Sequence, residues 1–72
     1  MQVTLDLRGV PCPLNWARAK VRLETLTRGD ELVLLVDDPR AVRDIPGAAE
    51  AHGYAVGEAV RDGDGWAITI GV

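Results

Sequence analysis

The sequence predicts an α/β two-layer sandwich of order βαβαββ, with two helices on one face of a four-stranded mixed sheet. Three observations predict it. Apolar and polar residues alternate at both ends of the chain, at Val3, Leu5 and Leu7 and again at Trp66, Ile68, Ile70 and Val72, which is the period of half-buried strands. Helix-compatible segments separate the extended runs, the order expected of helices layered on a sheet. Seventy-two residues, 47% of them hydrophobic, suffice for one core only, so residues 1–72 form a single domain.

Each element has a local reason. Gly9-Val10-Pro11 breaks the first strand. Pro13 suits the first turn of a helix, where its missing N–H costs nothing. That helix runs from Leu14 to Thr27 and ends at Gly29, a natural left-handed terminus. Glu31 to Val36 is aliphatic on both faces, as in a central or doubly covered strand. Asp37-Asp38-Pro39 is a turn. Residues 40–52 are helical in content, but Pro46-Gly47 interrupts them. The expectation is a loose turn through Arg43, then a helix capped by Asp44, with Pro46 in its first turn and Gly53 stopping it. Tyr54, Val56 and Val60 alternate in one strand, and Asp62-Gly63-Asp64-Gly65 turns the chain into the last.

Composition excludes several function classes. A disordered chain would lack this apolar content. The longest aliphatic run, Leu32 to Val36, is far short of the roughly 20 residues that span a bilayer. Asp6 and Arg8 interrupt any signal-peptide pattern, so the expected location is cytoplasmic and membrane-free. Residues 1–28 hold five basic side chains against two acidic, and residues 29–72 three against nine. The net charge of −3 makes direct nucleic-acid binding a poor fit. The single cysteine, Cys12, excludes an intrachain disulfide and a cysteine-built zinc site, and no metal or cofactor is expected.

The helix after Cys12 carries two apolar stripes. Trp16, Ala19, Leu23 and Leu26 form the larger and are assigned to the core. Leu14, Ala17 and Val21 form the smaller, bordered by Arg18 and Arg22 on one side and Lys20 on the other. An exposed apolar stripe with a basic rim suits partner docking, although scattered exposed alanines and a valine need no explanation.

Cys12 has two readings. A lone cysteine is commonly a small buried hydrophobe. Its place between Pro11 and Pro13, at a loop-to-helix junction, favours chemistry instead. If Pro13 opens the helix, Cys12 is the N-cap, and the first-turn N–H groups and helix dipole stabilise its thiolate. Arg8, across the Gly9 turn, adds positive potential.

Asp6-Leu7-Arg8-Gly9-Val10-Pro11-Cys12-Pro13 resembles the signature of the TusA/SirA family of small sulfur carriers. Asp37-Asp38-Pro39 with Arg43-Asp44-Ile45-Pro46-Gly47 resembles that family's second block, and the resemblance covers nearly the whole chain. The resemblance implies two helices on a four-stranded sheet and a sulfurtransferase that holds sulfane sulfur as a persulfide on Cys12. It implies a donor, either a sulfurtransferase or a cysteine desulfurase, and a downstream acceptor protein. Pro13 matches the proline that opens the helix. The family pattern Cys-Pro-x-Pro departs here to Cys12-Pro13-Leu14-Asn15. A second proline would sacrifice no hydrogen bond at that position. Asn15 instead leaves an N–H able to point at the sulfur, adds an amide, and loosens the helix start.

The expected site is therefore Cys12 as nucleophile, supported by Arg8, Gly9, Pro13 and Asn15, with Leu14, Arg18, Arg22 and Arg43 available to partners. The competing function is a non-enzymatic interaction or redox-regulatory module. His52, before Gly53, reads as a helix-end residue, away from Cys12 because the two lie at different helix ends. Asp37 and Asp38 read as turn and cap residues. The chain is expected to be monomeric.

Overall fold

Parallel pairing of the first two strands fixes the molecule's geometry. The computed structural model describes residues 1–11 and 13–72. Strand β1 (Gln2–Asp6) runs parallel to β2 (Glu31–Val36), with Leu5 opposite Leu34. Helix α1 (Leu14–Leu23) connects them, and α2 (Pro39–Ala51) follows β2. The chain finishes with β3 (Ala55–Val56), β4 (Val60–Asp62) and β5 (Gly65–Gly71). The order across the sheet is β1-β2-β5-β3, with β4 also paired to β5.

One inner face carries the core. Leu32, Leu34 and Val36 of β2 stand opposite Ile70, Ile68 and Trp66 of β5, and the two isoleucines and the β2 residues are fully buried. Ala19 and Leu23 of α1 and Ala41, Ile45 and Ala49 of α2 close over them. Trp16 and Leu26 pack at its margin, so the larger α1 stripe faces the core as expected. Leu14 and Val21 of the smaller stripe remain 47% and 64% exposed.

Four expectations need correction. Helix α1 stops at Leu23, not Thr27. The Thr25 hydroxyl donates to the Arg22 carbonyl at 2.7 Å, and Leu26 N–H turns back to the Leu23 carbonyl, which tightens the last turn and ends it. Gly29, at φ +97°, serves the next turn and donates to the Val72 carbonyl.

Helix α2 starts five residues before the expected cap at Asp44. Asp38 is its N-cap, accepting the Arg40 N–H at 2.9 Å, and Pro39 occupies the first turn. Pro46 lies inside the helix. An internal proline costs roughly 3 kcal/mol. Burial of Ala41, Ile45 and Ala49 at successive i, i+4 positions offsets it, since apolar burial contributes about 1.5–3 kcal/mol for a residue the size of isoleucine.

The sheet has five strand segments in place of four. Val56 pairs with Ile70, but Val60 pairs with Ala67, so one extra residue enters between them and makes a β-bulge. The Gly57 N–H still bonds the Thr69 carbonyl at 2.9 Å. The bulge moves Val60 to the outer face, 62% exposed, and turns Ala59 toward the core.

The helix start also shifts. The first helical residue is Leu14, with Pro13 as its cap residue. The expected placement of Cys12 as N-cap falls on a position outside the described residues.

Candidate functional site

Because β1 and β2 are parallel neighbours, their C-terminal loops leave the sheet side by side. The first loop is a tight turn: Val10 N–H bonds the Leu7 carbonyl at 3.1 Å, and Gly9 takes φ +80°, the left-handed conformation that the third residue of a type II turn requires. The Gly9 N–H then donates to both oxygens of the Asp37 carboxylate at 3.1 Å. Asp37 thus ties the loop before Cys12 to the loop before α2. Gly9, Val10, Pro11, Asp37, Asp38, Pro39 and Arg40 line an open cleft of about 430 Å³ between the two loops.

Arg8 is held locally. Its Nε and Nη2 donate to the two oxygens of Asp6 at 3.0 and 2.8 Å, and its backbone N–H also reaches Asp6. The side-chain bond to Arg8 holds the Asp6 carboxyl at about 2, well below its ordinary value, and the same pairing raises Arg8. The charge of Arg8 is therefore compensated by Asp6, and Arg8 does not line the cleft. Arg40 pairs with Asp38 across 3.1 Å, which lowers the Asp38 pKa.

The start of α1 carries one anomaly. Asn15 is 1% exposed. Its N–H donates to the Pro11 carbonyl at 3.1 Å, so that N–H is not available to the sulfur as the sequence suggested, and a proline there would lose the bond. Its Oδ1 accepts the Trp16 N–H at 2.6 Å. Its Nδ2 is buried with no hydrogen-bond partner among the described residues. Ala17 N–H bonds the Pro13 carbonyl, which leaves Leu14 N–H as the first-turn donor without a partner among the described residues.

Arg8 and Gly9 thus lie in the Leu7–Val10 turn, and Pro13, Leu14 and Asn15 form the cap and start of α1. Arg18 and Arg22 lie further along α1, beside a separate apolar groove. Arg43 sits on α2, 77% exposed at its side chain, and pairs with Asp44. His52 is not remote from the start of α1: its ring centroid lies 5.8 Å from that of Trp16, which brings the C-terminal end of α2 beside the first turn of α1. The sequence reading set His52 apart from Cys12, a position outside the described residues; the contact seen is between His52 and Trp16. It also gave Asp37 only a turn role and did not place Gly9 against it. The signal available was a carboxylate directly after a strand that runs beside β1.

The family model described as Sulfurtransferase TusA matches residues 3–72. The chain belongs to the TusA family. Over 67 residues this TusA-family chain is 36% identical to the "Putative sulfur carrier protein" of Archaeoglobus fulgidus, covering 92% of this chain and 76% of that one. It is equally similar to the Escherichia coli K12 protein of the same description named TsuB, covering 92% and 89%. Among solved structures, the SirA-like protein of Desulfitobacterium hafniense superposes with a TM-score of 0.83 at 29% identity, covering 97% and 96%. Two helices on a mixed sheet are thus the shared architecture. Among the described residues no helix is long and apolar enough to cross a membrane.

Proposed function

We propose that the protein carries sulfane sulfur as a persulfide on Cys12. The observation that supports this most is the family match across residues 3–72 in a chain whose one cysteine stands in the Cys-Pro motif. The naming of relatives as sulfur carriers supports it further.

The chemistry is exchange at sulfur. The Cys12 thiolate attacks the outer sulfur of a donor persulfide. A new S–S bond forms, the donor's own S–S bond breaks, and the donor thiolate leaves with the electron pair. An acceptor thiolate then attacks the outer sulfur of Cys12–S–SH, and Cys12 departs as thiolate. Neither step changes the total oxidation level, so no external oxidant or reductant enters. With no second cysteine, no internal thiol can expel the sulfur as a disulfide. A separate donor, a sulfurtransferase or cysteine desulfurase, supplies the sulfur, and a second protein receives it. Gly9, held by the Asp37 carboxylate, and Pro13 flank the cysteine in the chain, and Arg8 and Asn15 are the supporting residues of this reading. The cytoplasm is the compartment that suits a reduced thiol.

Intact-mass measurement after incubation with a persulfide donor or thiosulfate tests the reading. A gain of one sulfur atom, removed by reductant and absent in Cys12→Ala, is the expected result. No adduct from several donors, together with full cellular activity of Cys12→Ala, would overturn it in favour of an interaction module.

A further inference from the structure

We infer that the groove between α1 and the open edge of β1 docks an extended segment of a partner protein, one whose groove-facing side chains, every second residue, are apolar and acidic in turn. The inference deepens the carrier reading, since a carrier must meet its donor and acceptor, but none of its observations involves Cys12.

The groove is built from both layers. Leu5 of β1, with Ala17 and Val21 of α1, forms an apolar floor, and Arg18, Arg22 and Thr25 complete a space of about 520 Å³. Val21 stays 64% exposed there, continuous with the apolar floor.

The sheet edge beside the groove is open. Strand β1 lies at the border of the sheet and pairs only with β2. The Met1 carbonyl and the Leu7 N–H both bond toward β2, and backbone groups alternate sides along a strand. The N–H and C=O groups of Gln2, Thr4 and Asp6 therefore point away from the sheet. A strand added at this edge would gain main-chain hydrogen bonds, and every second side chain would fall on Leu5, Ala17 and Val21.

Charge selects the occupant. The four described ion pairs use Met1–Asp30, Arg8–Asp6, Arg40–Asp38 and Arg43–Asp44. Arg18 and Arg22 have no ion-pair partner among the described residues. In a chain of net charge −3, two such cations on an apolar rim call for carboxylates from outside. A second copy pairing edge to edge about a two-fold axis would face Arg18 and Arg22 with their own equivalents, and like charges disfavour it.

The test uses the full chain and a dye-labelled peptide of about eight residues, a common strand length or slightly more, with valine and glutamate taking turns at every second position and threonine between them, so that both face the groove. Binding is read by fluorescence anisotropy at low salt, beside a valine–lysine counterpart. Expected results are binding of the glutamate peptide alone and a loss of about tenfold in the Arg18→Glu/Arg22→Glu double variant, the sum of two rim pairs. Arg28→Glu should change affinity by less than about twofold, which separates the rim from overall charge. The Thr4 and Asp6 amide hydrogens should gain exchange protection in the bound protein. Equal binding of the lysine peptide, an inert double variant, or unprotected Thr4 and Asp6 amides would overturn the inference. So would a dimer in sedimentation that excludes the peptide, since the occupant would then be a second copy. Peptide binding needs no sulfur chemistry, so its loss refutes this inference alone, and failed sulfur loading on Cys12 refutes only the carrier reading.

Discussion

Replacing Asn15 with leucine tests how the start of α1 is built. The two side chains branch alike at Cγ, so the buried site keeps its shape while both polar atoms disappear. Two effects oppose each other. Removing Nδ2, which is buried without a partner among the described residues, recovers the desolvation cost of an unmade hydrogen bond, about 1–3 kcal/mol. Removing Oδ1 ends its bond to the Trp16 N–H, a loss of about 0.5–1.5 kcal/mol. The first term is the larger, so Asn15→Leu should stabilise the fold by about 1 kcal/mol. For a domain of this size that raises Tm by roughly 4–8 °C. Urea denaturation followed by circular dichroism gives the stability difference directly. Asn15→Pro should go the other way, because it also ends the Asn15 N–H bond to the Pro11 carbonyl. A leucine variant destabilised by more than about 1 kcal/mol would refute the reasoning, since it would mean that the amide is satisfied in solution. If the variant gains stability and loses sulfur transfer, the polar atoms are retained for the chemistry at the neighbouring turn.

Two further outcomes follow from specific contacts. A Cβ at Gly65 would land on the Val36 carbonyl oxygen, a backbone atom that cannot swing away, so Gly65→Ala should destabilise the fold by about 1–3 kcal/mol in the same urea assay; an unchanged midpoint would show that β2 and β5 part more easily than their register implies. Asp6, Asp30 and Asp38 all hold carboxyls below their ordinary value, through Arg8, the Thr27 N–H and Arg40 respectively. Each is ionised more readily folded than unfolded, so their contribution is complete above about pH 4 and lost as pH falls toward about 2, where Asp6 titrates. Carboxyl carbon shifts followed by NMR should place the Asp6 midpoint near 2, and a midpoint near the ordinary 3.8 would show the Arg8 pair open in solution.

The elements that depend on local chemistry were legible in the sequence. Alternation at Val3, Leu5 and Leu7 gave the first strand, and Gly63 at φ +59° gives the hairpin turn that Asp62-Gly63-Asp64-Gly65 spelled out. The division of α1 into a buried and an exposed stripe was also readable, because Ala19 and Leu23 lie on the larger apolar arc. What misled were residues whose local preference is overridden by packing. Pro46 reads as a helix start, yet Ile45 and Ala49 on either side of it are buried against the sheet, and Asp38-Pro39 supplies a better cap seven residues earlier. Tyr54, Val56 and Val60 read as one strand, and only the partner strand reveals the extra residue between Val56 and Val60. Nothing in a one-dimensional pattern records a bulge that is defined by a register change against Ala67.

The same division explains the site. The sequence names the residues around Cys12 because a glycine turn and two prolines are local signals. It does not show what holds them, since the hold comes from across the sheet. Gly9 is fastened by a carboxylate 28 residues later, and that contact exists because β1 and β2 are parallel and adjacent. Arg8 was read as a source of positive potential for the cysteine. Asp6, two residues before it, takes that charge in a two-point pair. If a thiolate is favoured at this turn, the Arg8 charge is therefore not its main source. The backbone is the better candidate: Leu14 N–H has no partner among the described residues, and it lies in the first turn, where the helix dipole is strongest. Neutralising Arg8 should then change thiol reactivity less than lengthening the turn between Gly9 and Pro13, a comparison that alkylation rates across pH would decide.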